Sequence, residues 1–170
     1  MNSGHTSTLL REHTAQRDRA PARAAHLLAR GPARMTSPIA RWTANVLAVA
    51  GAALMVWSGV IHLELWSDGY RSISVIGPLF LIQGIGGITL AGLTGVFRRV
   101  VFMAAGAVMM AATAAGLLLS AGIGLFVYQE ILAVPYAMSS LAVEFAGAAV
   151  LAAASAIVLA ARPGSRPVRR

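Results

Sequence analysis

Four long apolar stretches, roughly residues 42–65, 77–97, 100–127 and 135–161, dominate the chain, and short polar segments separate them. Each is long enough to cross a bilayer core, which takes about 20 helical residues rising about 1.5 Å apiece. The pattern predicts an all-α fold: an integral membrane, antiparallel four-helix bundle over residues 41–161. Gly77-Pro78 marks the start of the second span and Pro135 that of the fourth, because proline in the first helical turn gives up only a hydrogen bond that was unavailable anyway. Small residues recur every fourth position, at Gly87, Ala91 and Gly95, at Gly116, Ser120 and Gly124, and at Ala148, Ala152 and Ala156. In lipid, where no hydrophobic force drives helices together, such faces allow close backbone approach. Gln83-Gly84-Ile85-Gly86-Gly87 superficially resembles a nucleotide-binding glycine loop, but no strand precedes it and its surroundings are apolar, so packing is the expected role.

Composition agrees. Hydrophobic residues make up 57% of the 170 and charged residues 12%, against about 25% charged in soluble domains. Cysteine is absent, which removes disulfides, thiolate metal sites and cysteine nucleophiles. All fourteen basic residues are Arg, giving a formal net charge of +8. Seven precede the first span, Arg98 and Arg99 separate the second from the third, and four follow the last; the opposite loops hold only Arg71, with Glu64, Asp68 and Glu130. Excess Arg marks the cytoplasmic side. Both termini and the Arg98-Arg99 turn are therefore expected in the cytoplasm, with two loops outside, in a cell inner (plasma) membrane. Trp42 fits an inner aromatic anchor, and Trp66, Tyr70, Tyr128 and Tyr136 an outer belt. Clustered Arg in a soluble protein would suggest phosphate binding. Here it flanks spans, so no nucleic-acid partner is expected.

Residues 1–40 are rich in Arg, Ala, Ser, Thr and Pro and end at Ser37-Pro38, the composition of a disordered cytoplasmic tail. A weak helix from Arg23 to Arg30 would place Ala24, Leu27 and Leu28 on one face. Met35 offers a compact alternative start directly ahead of the first span, and residues 162–170 form a second basic tail.

A few polar residues are left over by hydropathy. His62 ends the first span, Gln83 enters the second, and Glu144 lies nine residues past Pro135, about 13 Å along the fourth helix. A carboxyl group at that depth costs about 3 kcal/mol on insertion scales and should face the bundle. The three residues share the outer half of the membrane and are expected to form a polar pocket, with Glu64, Tyr70, Arg71 and Tyr136 around its mouth. No His-x-x-x-His spacing occurs, and one His with one or two carboxylates falls short of a zinc set. The membrane serines lack an elbow motif and a second nearby base. No metal, cofactor or catalytic residue is expected.

The run from His62 to Gln83, with its Gly-Tyr-Arg loop and Gly-Pro-Leu-Phe-Leu stretch, resembles a segment of small, uncharacterised four-span membrane proteins of actinobacteria. The likeness extends loosely over residues 42–161, with Leu141 to Phe145 resembling an acidic segment of the fourth span. It implies the four-span topology and carries no activity. Two functions of different class follow. One is a non-enzymatic protein that binds a membrane-protein partner, lipid or a second copy of itself through its helices and the Glu64 to Ser74 loop. The other is small-molecule or proton binding or translocation in an outward-facing pocket at His62, Gln83 and Glu144.

Overall fold

The computed structural model describes residues 25–26, 29–124 and 135–161. Four helices follow in order: α1 (Pro38–Ser67), α2 (Ile76–Phe97), α3 (Val100–Ile123) and α4 (Pro135–Ala160), with short 3-10 turns at Pro32–Arg34 and Tyr70–Ser72. All four are long and apolar enough to cross a membrane. Their outward faces are apolar as well: Val49, Trp57, Ile82, Ile85, Val108 and Phe145 are all exposed. A helix apolar on every side belongs in lipid rather than water. The chain is an all-α, antiparallel four-helix bundle of a membrane protein.

Helix ends follow local chemistry. α1 begins at Pro38, four residues before the apolar run itself, because Ser37 caps it; its Oγ accepts from Ala40 N at 3.3 Å. α2 ends on Arg98, which adopts the left-handed conformation (φ 48°, ψ 41°), and α3 starts two residues later. α3 closes at Ile123 rather than running to 127, since Gly124 takes φ 80° and returns its N–H to Ser120 O. Residues 125–127, Tyr128, Glu130, the greater part of the expected 23–30 helix and both distal basic tails lie outside the described residues.

Packing is organised by α1. Its buried positions Ala44, Ala48, Gly51, Met55, Ser58 and His62 alternate steps of four and three, the spacing that keeps one seam facing a partner helix in left-handed packing. On α4 the matching set is Ala137, Ser140, Glu144, Gly147, Leu151, Ala154 and Val158. The two run antiparallel, so the Leu151 side chain occupies the space that a Cβ on Gly51 would need, and Glu144 meets His62. Toward α2 the approach is to backbone: a Cβ on Gly59 would lie 2.9 Å from Gly84 O, and one on Gly87 3.6 Å from Met55 O. Methionines fill the remaining gaps, with Met55, Met103 and Met110 fully buried. Hydroxyls within the helices are largely self-satisfied, as Thr43, Thr89, Thr113 and Ser155 donate to the carbonyl four residues back at 2.8–3.0 Å.

Two expectations are corrected here. Of the small-residue faces, Gly87 does meet α1 and Ala91 is buried, but Ala152 and Ala156 are exposed and nothing lies within 4 Å of a Cβ on Gly95 or Gly116. The seam on α4 runs on the seven-residue repeat through Leu151, not along the four-residue Ala row, since bulky Leu151 is what fills the space left by Gly51 and Gly106. The N-terminal segment also differs from a tail disordered through residue 40. Arg30 donates through its guanidinium to Leu159 O and Ala161 O, its own carbonyl accepts from Val100 N at 2.8 Å, and Met35 is buried in the core. A cation on the final carbonyls of α4 satisfies acceptors that no helix can satisfy internally and complements the helix dipole.

The glycines separate by what faces them. Gly59→Ala should destabilise the bundle by about 1–3 kcal/mol through the forced shift of α2. Gly92→Ala, with nothing within 4 Å, should stabilise it by up to about 1 kcal/mol through helix propensity. Thermal unfolding in detergent by circular dichroism, with the two midpoints moving in opposite directions, is the check.

Candidate functional site

Side-chain direction explains how His62 and Glu144 meet from different depths. Cα–Cβ bonds tilt toward a helix N-terminus. His62, near the C-terminal end of α1, therefore reaches inward along the helix, and its Nδ1 lies 2.8 Å from Ser58 O. Glu144, near the middle of α4, reaches toward the Tyr70 end of the bundle, where its Oε1 accepts from Ser140 Oγ at 2.9 Å. The two converge with His62 Nε2 at 3.8 Å from Glu144 Oε1, close for charges and too long for a direct hydrogen bond. Glu144 is fully buried and His62 is 5% exposed.

The tautomer follows from the partners. A carbonyl oxygen only accepts, so Nδ1 carries the proton that it donates to Ser58 O, and Nε2 of a neutral imidazole then presents a lone pair. A lone pair facing an ionised carboxylate is repulsive. The arrangement is favourable only when one proton resides between the two groups, on Nε2 or on the carboxyl. The remaining carboxyl oxygen, Oε2, makes no hydrogen bond, nor do the buried Ser58 Oγ, Gln83 Nε2 and Ser120 Oγ. Among the described residues only Thr94 Oγ1, near the opposite end of α2, is likewise buried without a hydrogen bond, so unsatisfied polar atoms concentrate in this region.

His62, Gln83, Ser120 and Glu144, but not Ser58, border one cavity of about 500 Å³. It lies where α2 and α3 diverge, at the Tyr70 end. Leu79 and Phe80 of α2 and Met109 and Leu117 of α3 supply apolar wall, His62 and Glu144 form part of its lining, and Gly116 leaves it open on the α3 side. The Tyr70 ring stacks on Phe80 at 4.7 Å and 18°, and Phe80 meets the His62 ring at 5.0 Å in a tilted contact. Gly69, at φ 143°, turns the chain into the Tyr70–Ser72 segment. Gly77 lets this segment sit directly on α2, since a Cβ there would lie 2.8 Å from both Tyr70 O and Arg71 O.

Of the seven residues expected at a pocket, His62, Gln83 and Glu144 come together, and Tyr70 and Tyr136 line the same cavity, Tyr136 being 48% exposed. Glu64 and Arg71 do not line it, and both are exposed. The physical reason for Glu64 is helical phase: two residues past His62 is about 200° around the helix, the opposite face. Arg71 sits in the 3-10 turn with its carbonyl toward Gly77. Phe80, Ser140, Ser58 and Ser120 belong to the site without having been singled out. Ser140 and Ser58 each lie four residues before a member of the pair, and Phe80 three before Gln83, a same-face spacing visible in sequence. Among the described residues no group of three His, Cys, Asp or Glu converges.

Fold and site together define a membrane-embedded helical bundle with a cavity lined in part by an ionisable pair. No protein-family model, curated protein or solved structure matches the chain.

Gly77→Ala should separate the Tyr70–Ser72 turn from α2 and open the stack on Phe80, with a loss of about 1–3 kcal/mol. Near-ultraviolet circular dichroism should show weakened tyrosine bands while helix content is kept; unchanged bands and stability would contradict the close approach.

Proposed function

We propose that the protein binds a small molecule in this cavity, and that it binds rather than chemically converts it. The observation that carries the reading is the placement of the His62 and Glu144 side chains, 3.8 Å apart, in the lining of a cavity of about 500 Å³. Pockets of that size hold drug-sized ligands, gripping an apolar body through walls and orienting it through a few polar groups. An ionisable residue in a span is costly unless it has such work to do. A role confined to fastening helices, through Ser140 on its own helix and the Ser58 hydroxyl of α1, does not account for Glu144 also lining the cavity.

The Arg asymmetry supports an orientation with both termini in the cytoplasm and the cavity toward the outer face of a plasma membrane. The chain lacks cysteine, so single introduced cysteines report topology directly. Ser74→Cys, in the exposed loop, should be labelled in intact cells by a membrane-impermeant thiol reagent, and Thr36→Cys only after lysis; the reverse pattern inverts the assignment. The resemblance to small four-span membrane proteins of actinobacteria is consistent with this arrangement and adds no ligand to it.

Purification in native lipid followed by mass spectrometry tests the binding reading. A stoichiometric small molecule should be retained by the unmodified chain and lost from Glu144→Ala and from Gly116→Leu, whose added side chain has open space to grow into. A stoichiometric protein partner with an empty bundle would favour association through the helices and the Glu64 to Ser74 loop instead.

A further inference from the structure

The cavity's charge pattern specifies its occupant more narrowly than its volume does. Among the described residues its lining holds one carboxyl group and no Lys or Arg. Glu144 meets His62 and the Ser58 hydroxyl from α1 and Ser140 on its own helix, and it shares the cavity lining with the neutral Gln83 of α2, the hydroxyls Thr113 and Ser120 of α3, and Tyr70 and Tyr136. An anion would find no fixed positive charge. A carboxylate accepts only, and its Oε2 is fully buried without a donor. The same lining holds the stacked rings of Tyr70 and Phe80 and the thioether-bearing Met109. Aromatic faces attract a desolvated cation, and the aliphatic walls suit an apolar body.

Building on the binding function proposed above, we propose that the cavity takes a lipophilic organic monocation, whose charge replaces the single proton shared by His62 and Glu144. The exchange balances: one cation enters, the proton leaves to water from Nε2 or from the carboxyl, and the carboxylate with a neutral imidazole remains to face the cation. No bond other than that to the proton is broken, and the net charge of the site is unchanged. His62 keeps its Nδ1 proton on Ser58 O throughout. Because site charge is conserved, cation and proton compete, and binding weakens as pH falls.

The test uses the full chain in nanodiscs of zwitterionic phosphatidylcholine, with equilibrium dialysis against empty nanodiscs. Tetraphenylphosphonium should bind saturably at one per chain, its affinity falling about tenfold per pH unit toward acid wherever the pair holds its proton. Tetraphenylborate, of the same shape and opposite charge, should not exceed background. Glu144→Gln should weaken the phosphonium at least tenfold and remove the pH dependence; the comparison of the two ions on the unmodified chain stands even where that variant fails to fold. Saturable binding of tetraphenylborate or of neutral triphenylphosphine oxide as strong as that of the phosphonium overturns the choice of a cation and leaves the pocket in place. Phosphonium binding that ignores pH overturns the exchange. Saturable binding of none of the three overturns both this inference and the binding function beneath it.

Discussion

Close approach of α1 to its two neighbours is the constraint on which the other features rest. Lipid gives helices no hydrophobic reason to associate, so cohesion must come from packing and from satisfied polar groups. α1 meets it with Gly51 and Gly59, one accommodating the Leu151 side chain of α4 and the other the backbone of α2. Once α1 is committed on both sides and α3 is held against α4 through Met110 on Gly147, the geometry of the fourth contact, α2 with α3, is no longer free. It is the contact that opens into the cavity.

The same seam sets the chemistry. Along most of its length the layers are Ala, Gly, Met and Leu, and a polar side chain in that register has no water to turn to. Ser58, His62, Ser140 and Glu144 occupy consecutive positions of the seam at the Tyr70 end. Their shortest hydrogen bonds run along their own helices, Nδ1 to Ser58 O and Ser140 Oγ to Oε1, which fixes ring and carboxyl orientation. What crosses the seam is the 3.8 Å approach of Nε2 and Oε1, and one shared proton makes it attractive. The pair is thus rigid in geometry while its charge can change, a combination suited to binding something that carries charge.

Much of this was legible in the chain. Hydropathy and the two prolines gave four helices within a few residues, and the depth of Glu144 implied an inward-facing carboxyl because the alternative is too costly. Where sequence and structure part, the cause is phase rather than composition. Glu64, expected at the mouth of the pocket, lies about 200° around the helix from His62 and so on the far side. The alanine row at 148, 152 and 156 looked like a contact face, but a four-residue row drifts around a straight helix while the true seam follows a seven-residue repeat. The anchoring of residues 29–35 had no local signal: Arg30 is one arginine among seven, and its value lies in carbonyls at 159 and 161 that only the fold brings near.

Glycine does two opposite things in this bundle, and the difference explains why the cavity exists at all. Where a glycine faces backbone, as Gly59 faces Gly84 O, the missing side chain is converted into contact between helices. Where it faces nothing, as Gly116 does on the wall of the cavity, the missing side chain stays as space. A leucine at either position changes the bundle in opposite senses, wedging α1 from α2 in the first case and filling the cavity in the second. Packing at native density leaves few voids larger than a water molecule, so a cavity of about 500 Å³ beside a buried carboxyl stands apart from the close packing along α1. It persists because the helices around it are held by contacts made elsewhere, at Gly51, Gly59 and Gly147.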